Sequence, residues 1–201
     1  MITERFDGAI AGVGTTVGVR VVVGRWSDSP LGDFADVMLA EPDGTRVLLA
    51  PSEEVASFVS STYHFDRVEV GPVTVRSGEG WWDVEAPGLE LTFSVGRRAA
   101  LGRLLRLVPR RLATSPTWAR VTDPVARLLL RGVRTRGTAG GGRTESYGAT
   151  DLHRVTSMTG SWRGEDLGEL APVTPEPGFG FGSTPRAPSV TRLVTTVTSR
   201  A

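Results

Sequence analysis

The apolar positions of this chain recur mostly with a period of two. Val17, Val19, Val21 and Val23 alternate with Gly18, Arg20 and Val22, which suits a strand with one well-buried face. A second strand is predicted over 33–40. It runs into the turn Glu41-Pro-Asp-Gly44 and returns over 45–50, a hairpin by its turn chemistry. Further strands are expected over 67–75, where Val68, Val70, Val73 and Val75 are apolar, and over 81–95, where Leu89, Leu91 and Phe93 share a face. Ser77-Gly-Glu-Gly80 turns between them. Later strands are predicted from 131 to 138, then from the turn at Gly140–Gly142 to Trp162 with a break near Gly148, and finally over 190–198. A Pro- and Gly-rich connector over 171–189 hugs the surface before the last strand.

The period changes to a helical one at two places. Ser52 has the chemistry of an N-cap, Glu53 and Glu54 follow in a first turn that favours acids, and Val55, Phe58 and Val59 lie on one face. This predicts a helix over 53–63. From 97 onward, Leu101, Leu104, Leu105 and Val108 take one side and Arg103, Arg106 and Arg110 the other, so a second helix is expected over 98–108, limited by Pro109. Ser115-Pro116 and Asp123-Pro124 each pair a cap with a proline at the first helical position and predict short helices within 116–131. The fold class is therefore α+β and mostly antiparallel β. We expect a single domain over 1–201, a curved sheet or barrel-like body whose open edges are capped by these short helices.

Composition removes whole classes of chemistry. There is no Cys, which excludes disulfides, thiolate catalysis and Cys-ligated metals. There is no Lys either, since all 23 basic residues are Arg, so Schiff-base catalysis, pyridoxal phosphate anchoring and the phosphate-binding-loop lysine are excluded. The two histidines, His64 and His153, cannot build a three-His metal site. No metal and no cofactor are expected. No run approaches the length of a membrane helix and no leader is visible, so the expected compartment is the cytoplasm.

Charge is unevenly placed. Residues 97–131 hold nine Arg and one acid, Asp123, within a chain of net +1. Three readings follow: a helical cover with a solvated Arg face, which is favoured, an anionic membrane surface as partner, and nucleic acid. The last is disfavoured because no stacking aromatics interleave the arginines. The oligomeric state is not legible.

The candidate site lies in the late hairpin. With an unbroken strand rhythm, Glu145, Tyr147, Asp151 and His153 share one face. His153 could carry a proton beside Asp151 or Glu145, and these three are the candidate catalytic residues. Arg134 and Arg136, across the turn, could hold an anion together with Tyr147. A second candidate cluster, Tyr63, His64 and Asp66, follows the first helix; its plainer reading is a helix terminus. Gly12-Val-Gly14-Thr-Thr-Val-Gly18 resembles a dinucleotide loop, but its third Gly is late and β structure follows it. Gly178-Phe-Gly-Phe-Gly182 is expected to staple the connector to the core, and Trp81 and Trp82 to point to opposite faces.

The order of elements from Phe34 to Val95, a hairpin, a short helix and a long antiparallel pair, resembles the acetoacetate decarboxylase-like β-cone topology over about a third of the chain. That family's decarboxylation needs a Schiff-base lysine, which this chain lacks, so the resemblance implies a pocket shape without that activity. The leading functional expectation is a binding protein for a small anionic or amphipathic molecule, with the pocket inside the curved sheet. The alternatives are a lysine-independent enzyme of isomerase, hydratase, cyclase or hydrolase type using His153, and a peripheral membrane or protein-interaction module using the 97–131 face.

Overall fold

The computed structural model describes residues 2–115, 118, 136–138, 144–180 and 184–199. The first sheet segment is β1 (Ile2–Thr15), β2 (Arg20–Asp28), β3 (Phe34–Ala40) and β4 (Arg46–Ala50). The strand β1 precedes the Val-rich repeat and runs through Gly12 and Gly14, so the glycines of the dinucleotide-like stretch lie in a strand and its hairpin turn. Gly18 sits in that turn at φ +87°, a conformation that glycine adopts without strain. The predicted hairpin at Glu41-Pro-Asp-Gly44 is present, closed by Glu41 N–H to the Thr45 carbonyl at 2.8 Å.

The helix α1 (Glu53–Ser60) starts where its sequence says it should, with Ser52 Oγ accepting from the Val55 N–H at 3.3 Å. It ends at Ser60 rather than 63, where the last turn tightens and the Thr62 N–H donates to the Val59 carbonyl at 3.0 Å. α1 crosses over to β5 (Arg67–Val70), which pairs with β4 in parallel. Then come β6 (Thr74–Gly78), β7 (Trp81–Ala86) and β8 (Leu89–Arg98); Pro87 and Gly88 split the single strand predicted over 81–95. The two tryptophans diverge as expected: Trp82 is buried and Trp81 is 43 % exposed.

Over residues 97–115 the Arg-rich segment is less helical than its sequence pattern suggests. α2 covers only Ala100–Leu105, and Pro109 starts a further single turn, α3 (Arg110–Ala113). α2 meets the sheet through Gly102, where an added Cβ would lie 2.4 Å from the Leu152 carbonyl oxygen. This close backbone approach, not a leucine stripe, sets its orientation, and Leu104 and Leu107 point outward at 60 % and 79 % exposure. The helices expected within 116–131 lie outside the described residues, apart from Trp118. The remaining strands are β9 (Arg136–Thr138), β10 (Thr144–Trp162), β11 (Glu165–Asp166), β12 (Leu170–Ala171) and β13 (Ser189–Ser199).

These strands form one curled, half-barrel sheet, in the order β5-β4-β3-β2-β1-β13-β10-β8-β7-β6, with β9, β11 and β12 as short side pairings. Antiparallel pairing dominates, as the alternation of the sequence predicted. The curl brings the two halves together on its inner face, where Val21, Val37 and Leu49 pack in one cluster with Trp82, Leu91 and Phe93. Polar contacts close the seam between the two halves: Trp162 Nε1 donates to Glu41 Oε1 at 2.9 Å, and Arg67 reaches the same carboxylate at 2.8 Å. The outer face is covered by a second cluster in which Leu48 and Ala50 meet Val55, Ala56 and Val59 of α1. Among the described residues, no helix is long and apolar enough to cross a membrane.

Candidate functional site beneath the first helix

A cavity of about 50 Å³ lies on the outer face, between the sheet and α1. Strand registers place its walls. Phe34, Asp36 and Met38 on β3 lie beside Gly24 and Trp26 on β2, then Phe6 and Ile10 on β1, Thr195 and Val197 on β13, and Glu145 and Tyr147 on β10. In a strand alternate residues share a face, so five neighbouring strands contribute to one surface. Phe58, Val59, Thr62 and Tyr63 roof it. The inner face is filled by apolar side chains, so the pocket lies on the opposite side of the sheet from the one expected.

One end of the cavity is aromatic. Phe6 contacts Trp26 edge-to-face at 5.9 Å between ring centroids and Phe58 at 5.0 Å, and Trp26 lies 6.4 Å from Phe34. Polar and acidic groups adjoin these rings and extend beyond them. Trp26 Nε1 donates to Asp36 Oδ1 at 2.9 Å, and burial pushes the Asp36 carboxyl up to about 6 despite that bond. Tyr63 Oη donates to Glu145 Oε2 at 3.0 Å, Tyr147 Oη does the same at 3.0 Å, and the two hydroxyls lie 2.5 Å apart. Burial, and then the charge of Glu145, push both phenols well above their usual value, so they remain neutral donors. The hydroxyls of Thr62 and Thr195 are buried and find no hydrogen-bond partner.

The structure divides the residues singled out from the sequence. Glu145 and Tyr147 meet Tyr63 in the cavity, which joins two members of the late-hairpin cluster to one of the second cluster, with Tyr63 and Glu145 82 residues apart. Asp151 and His153 do not share their face. A bulge between Ala149 and Asp151 inserts Thr150, after which Asp151 pairs with Arg192 and His153 with Val190, residues of the inner-face parity. The expectation of one polar wall from Glu145 to His153 is therefore corrected, because a single extra residue turns every later side chain over. His153 Nε2 lies 3.6 Å from Asp151 Oδ2, and its Nδ1 lies 3.1 Å from the Gly96 carbonyl. Burial raises the Asp151 carboxyl, but Arg98, bonded at 2.8 Å, and the Leu152 N–H hold it below the usual range.

Of the arginines, Arg134 lies outside the described residues and Arg136 sits in β9 opposite Ser146. Asp66 leaves the Tyr63 cluster for a two-pronged ion pair with Arg46, at 3.0 and 3.1 Å, which holds its carboxyl down at about 2. His64 is exposed and binds the Phe179 carbonyl through its backbone N–H at 2.8 Å. Phe179 stacks near Phe65, with centroids 5.7 Å apart, which is the staple expected of the Phe-Gly repeat. Among the described residues, no group of three or more ligating side chains could hold a metal ion. The sequence reading missed Asp36, Trp26 and Thr195. The first of these had a signal: an acid midway through an apolar strand, Phe-Ala-Asp-Val-Met-Leu.

Fold and site together define a curled antiparallel β protein with a small, partly open cavity beneath a crossover helix. No protein-family model matches the chain, and neither does any curated protein. Among solved structures, it is similar to acetoacetate decarboxylase from Legionella pneumophila, at 8 % identity and a TM-score of 0.46, over 97 % of this chain and 84 % of that one. It is also similar to a Nitrosomonas europaea protein named as an AttH, at 13 % identity and a TM-score of 0.35, over 99 % of this chain and 52 % of that one.

Proposed function

We propose that this protein binds a small amphipathic molecule in the cavity beneath α1. The observation that carries this reading is the pair of buried, unpartnered hydroxyls, Thr62 and Thr195, in the wall of a space that also holds an aromatic cluster and a buried carboxylate. Buried polar groups without partners cost free energy, so such a site gains by taking a guest that satisfies them. Of the two ligand types anticipated, the amphipathic one is supported: among the described residues no Arg lines the cavity to hold an anion. A volume of about 50 Å³ admits three to five waters at roughly 10–15 Å³ each, so a guest contributes only a few heavy atoms unless α1 moves. The test is a titration with 1-propanol, propionate and n-propylammonium, followed by the indole N–H resonance of Trp26. At least one probe shifts it saturably, and Met38→Phe, which narrows the cavity, weakens that shift. No response to any of the three would mean that the cavity holds water only.

A second reading attaches to α2 and α3. Leu104, Leu107 and Leu112 are exposed at 60, 79 and 45 %, interleaved with Arg103, Arg106 and Arg111. Apolar side chains rimmed by cations suit an anionic membrane surface. Co-sedimentation with phosphatidylserine-containing vesicles, lost at high salt and in Leu107→Asp, would support it.

A further inference from the structure

The polar end of the cavity has a definite electrostatic sign. Asp36 is 3 % exposed, and among the described residues no cation pairs with it. Its hydrogen bond comes from a neutral indole. The other polar groups of the lining are acceptors or neutral hydroxyls: Thr62, Thr195 and the Tyr63 phenol that Glu145 engages. The rings of Phe6, Trp26 and Phe34 lie beside them, and an aromatic face attracts a cation through its quadrupole. A buried carboxylate facing an anion or an apolar group stays costly, whereas an ammonium group removes that cost by pairing with it.

On the reading that the cavity is a ligand site, we propose that its ligand is a small protonated amine. The ammonium group is held by Asp36, and the short alkyl body lies against the rings of Trp26 and Phe34. The tight space selects against long or branched amines.

The test compares three probes of one shape and three charges, n-propylammonium, 1-propanol and propionate, on the full chain at pH 7.5, with affinities read from the Trp26 indole resonance. The expected order is n-propylammonium tightest by at least about tenfold over 1-propanol, a ratio in the range of a charge-assisted hydrogen bond, with propionate weakest. Asp36→Asn should abolish the preference for the cation while keeping 1-propanol binding. If 1-propanol or propionate binds as well as the amine, the amine assignment is wrong while the cavity remains a ligand site. If none binds, both fall. The ranking on the unmodified protein decides the matter even where a variant does not fold.

Discussion

The indole of Trp26 crosses the backbone of β2 to donate its N–H to Asp36 Oδ1 at 2.9 Å, and it can do so because the residue it passes over is Gly24. Gly24 is paired with Asp36 in the sheet register and lies two residues before Trp26. A side chain there would stand between donor and acceptor. The glycine in an otherwise Val-rich strand is thus explained by a side-chain hydrogen bond rather than by backbone conformation, and it fixes both the carboxylate and the aromatic wall of the cavity.

Gly24→Ala should therefore act on the site and not merely on the strand. Its Cβ would lie 2.4 Å from Asp36 Oδ1 and 2.8 Å from Trp26 Nε1, so one of the two must swing away. A buried carboxylate would lose its donor, at a cost of about 1–3 kcal/mol. Urea unfolding should show a lower midpoint with unchanged slope, and the Trp26 indole resonance should move toward its free position. A variant as stable as the parent, with that resonance in place, would show that the crossing has slack.

Asp36 also makes a prediction about pH. Its folded-state pKa is raised from 3.8 to about 6, so the folded protein holds this proton more tightly than the unfolded chain. The resulting stabilisation is complete below pH 3.8 and is lost as pH rises through about 6. Moving a pKa from 3.8 to about 6 corresponds to about 3 kcal/mol. Asp66, lowered to about 2, works in the opposite direction, giving stability that is lost as pH falls below 3.8. It is exposed, and its contribution is screened by solvent. Asp36→Asn should thus gain stability over the parent as pH rises from 4 to 7. A difference between the two proteins that stays flat over this range would show that Asp36 is not desolvated.

The strands were legible because alternation is a strong signal and turns such as Pro-Asp-Gly are local. The site was only half legible. Glu145 and Tyr147 could be placed on one face from their spacing, but their meeting with Tyr63 is a contact across 82 residues that no local pattern encodes. The bulge at Thr150 carries no residue-type signature, since the break was expected at Gly148, which is glycine for a different reason: its Cβ would lie 2.7 Å from the Ala113 carbonyl oxygen. In the Arg-rich segment, the leucine spacing was real but did not decide the packing. Gly102 brings backbone against backbone, and a helix of six residues has no room for a stripe.

The reversal of faces after Thr150 separates His153 from the cavity. The eight steps along β10 from Glu145 to His153 span at most roughly 26 Å at 3.3 Å per residue. His153→Ala should therefore leave probe binding unchanged, within twofold, while removing its contact with the Gly96 carbonyl. The same titration checks this. A tenfold loss of affinity in His153→Ala would join the two clusters into one site and restore His153 as a candidate proton carrier.

Tyr63 and Tyr147 share a single acceptor, and the consequence can be measured. Both hydroxyls lie 3.0 Å from Glu145 Oε2 and 2.5 Å from each other, so three polar groups occupy one small triangle. Removing either hydroxyl costs the remaining groups a partner, about 1–3 kcal/mol for a buried site. Removing both leaves the double variant without any mismatch between the tyrosines. The cost of Tyr63→Phe with Tyr147→Phe should accordingly fall short of the sum of the single costs by about 0.5–3 kcal/mol, where independent sites add within about 0.3–0.5 kcal/mol. The singles should also differ in kind. Tyr63 ties the end of α1 to β10, so Tyr63→Phe should speed amide exchange at Val59 and Tyr63, while Tyr147→Phe, which alters a strand held on both edges by β13 and β9, should leave α1 protected. Additive costs with equal exchange in both variants would mean that the triangle is a coincidence of packing and not a network.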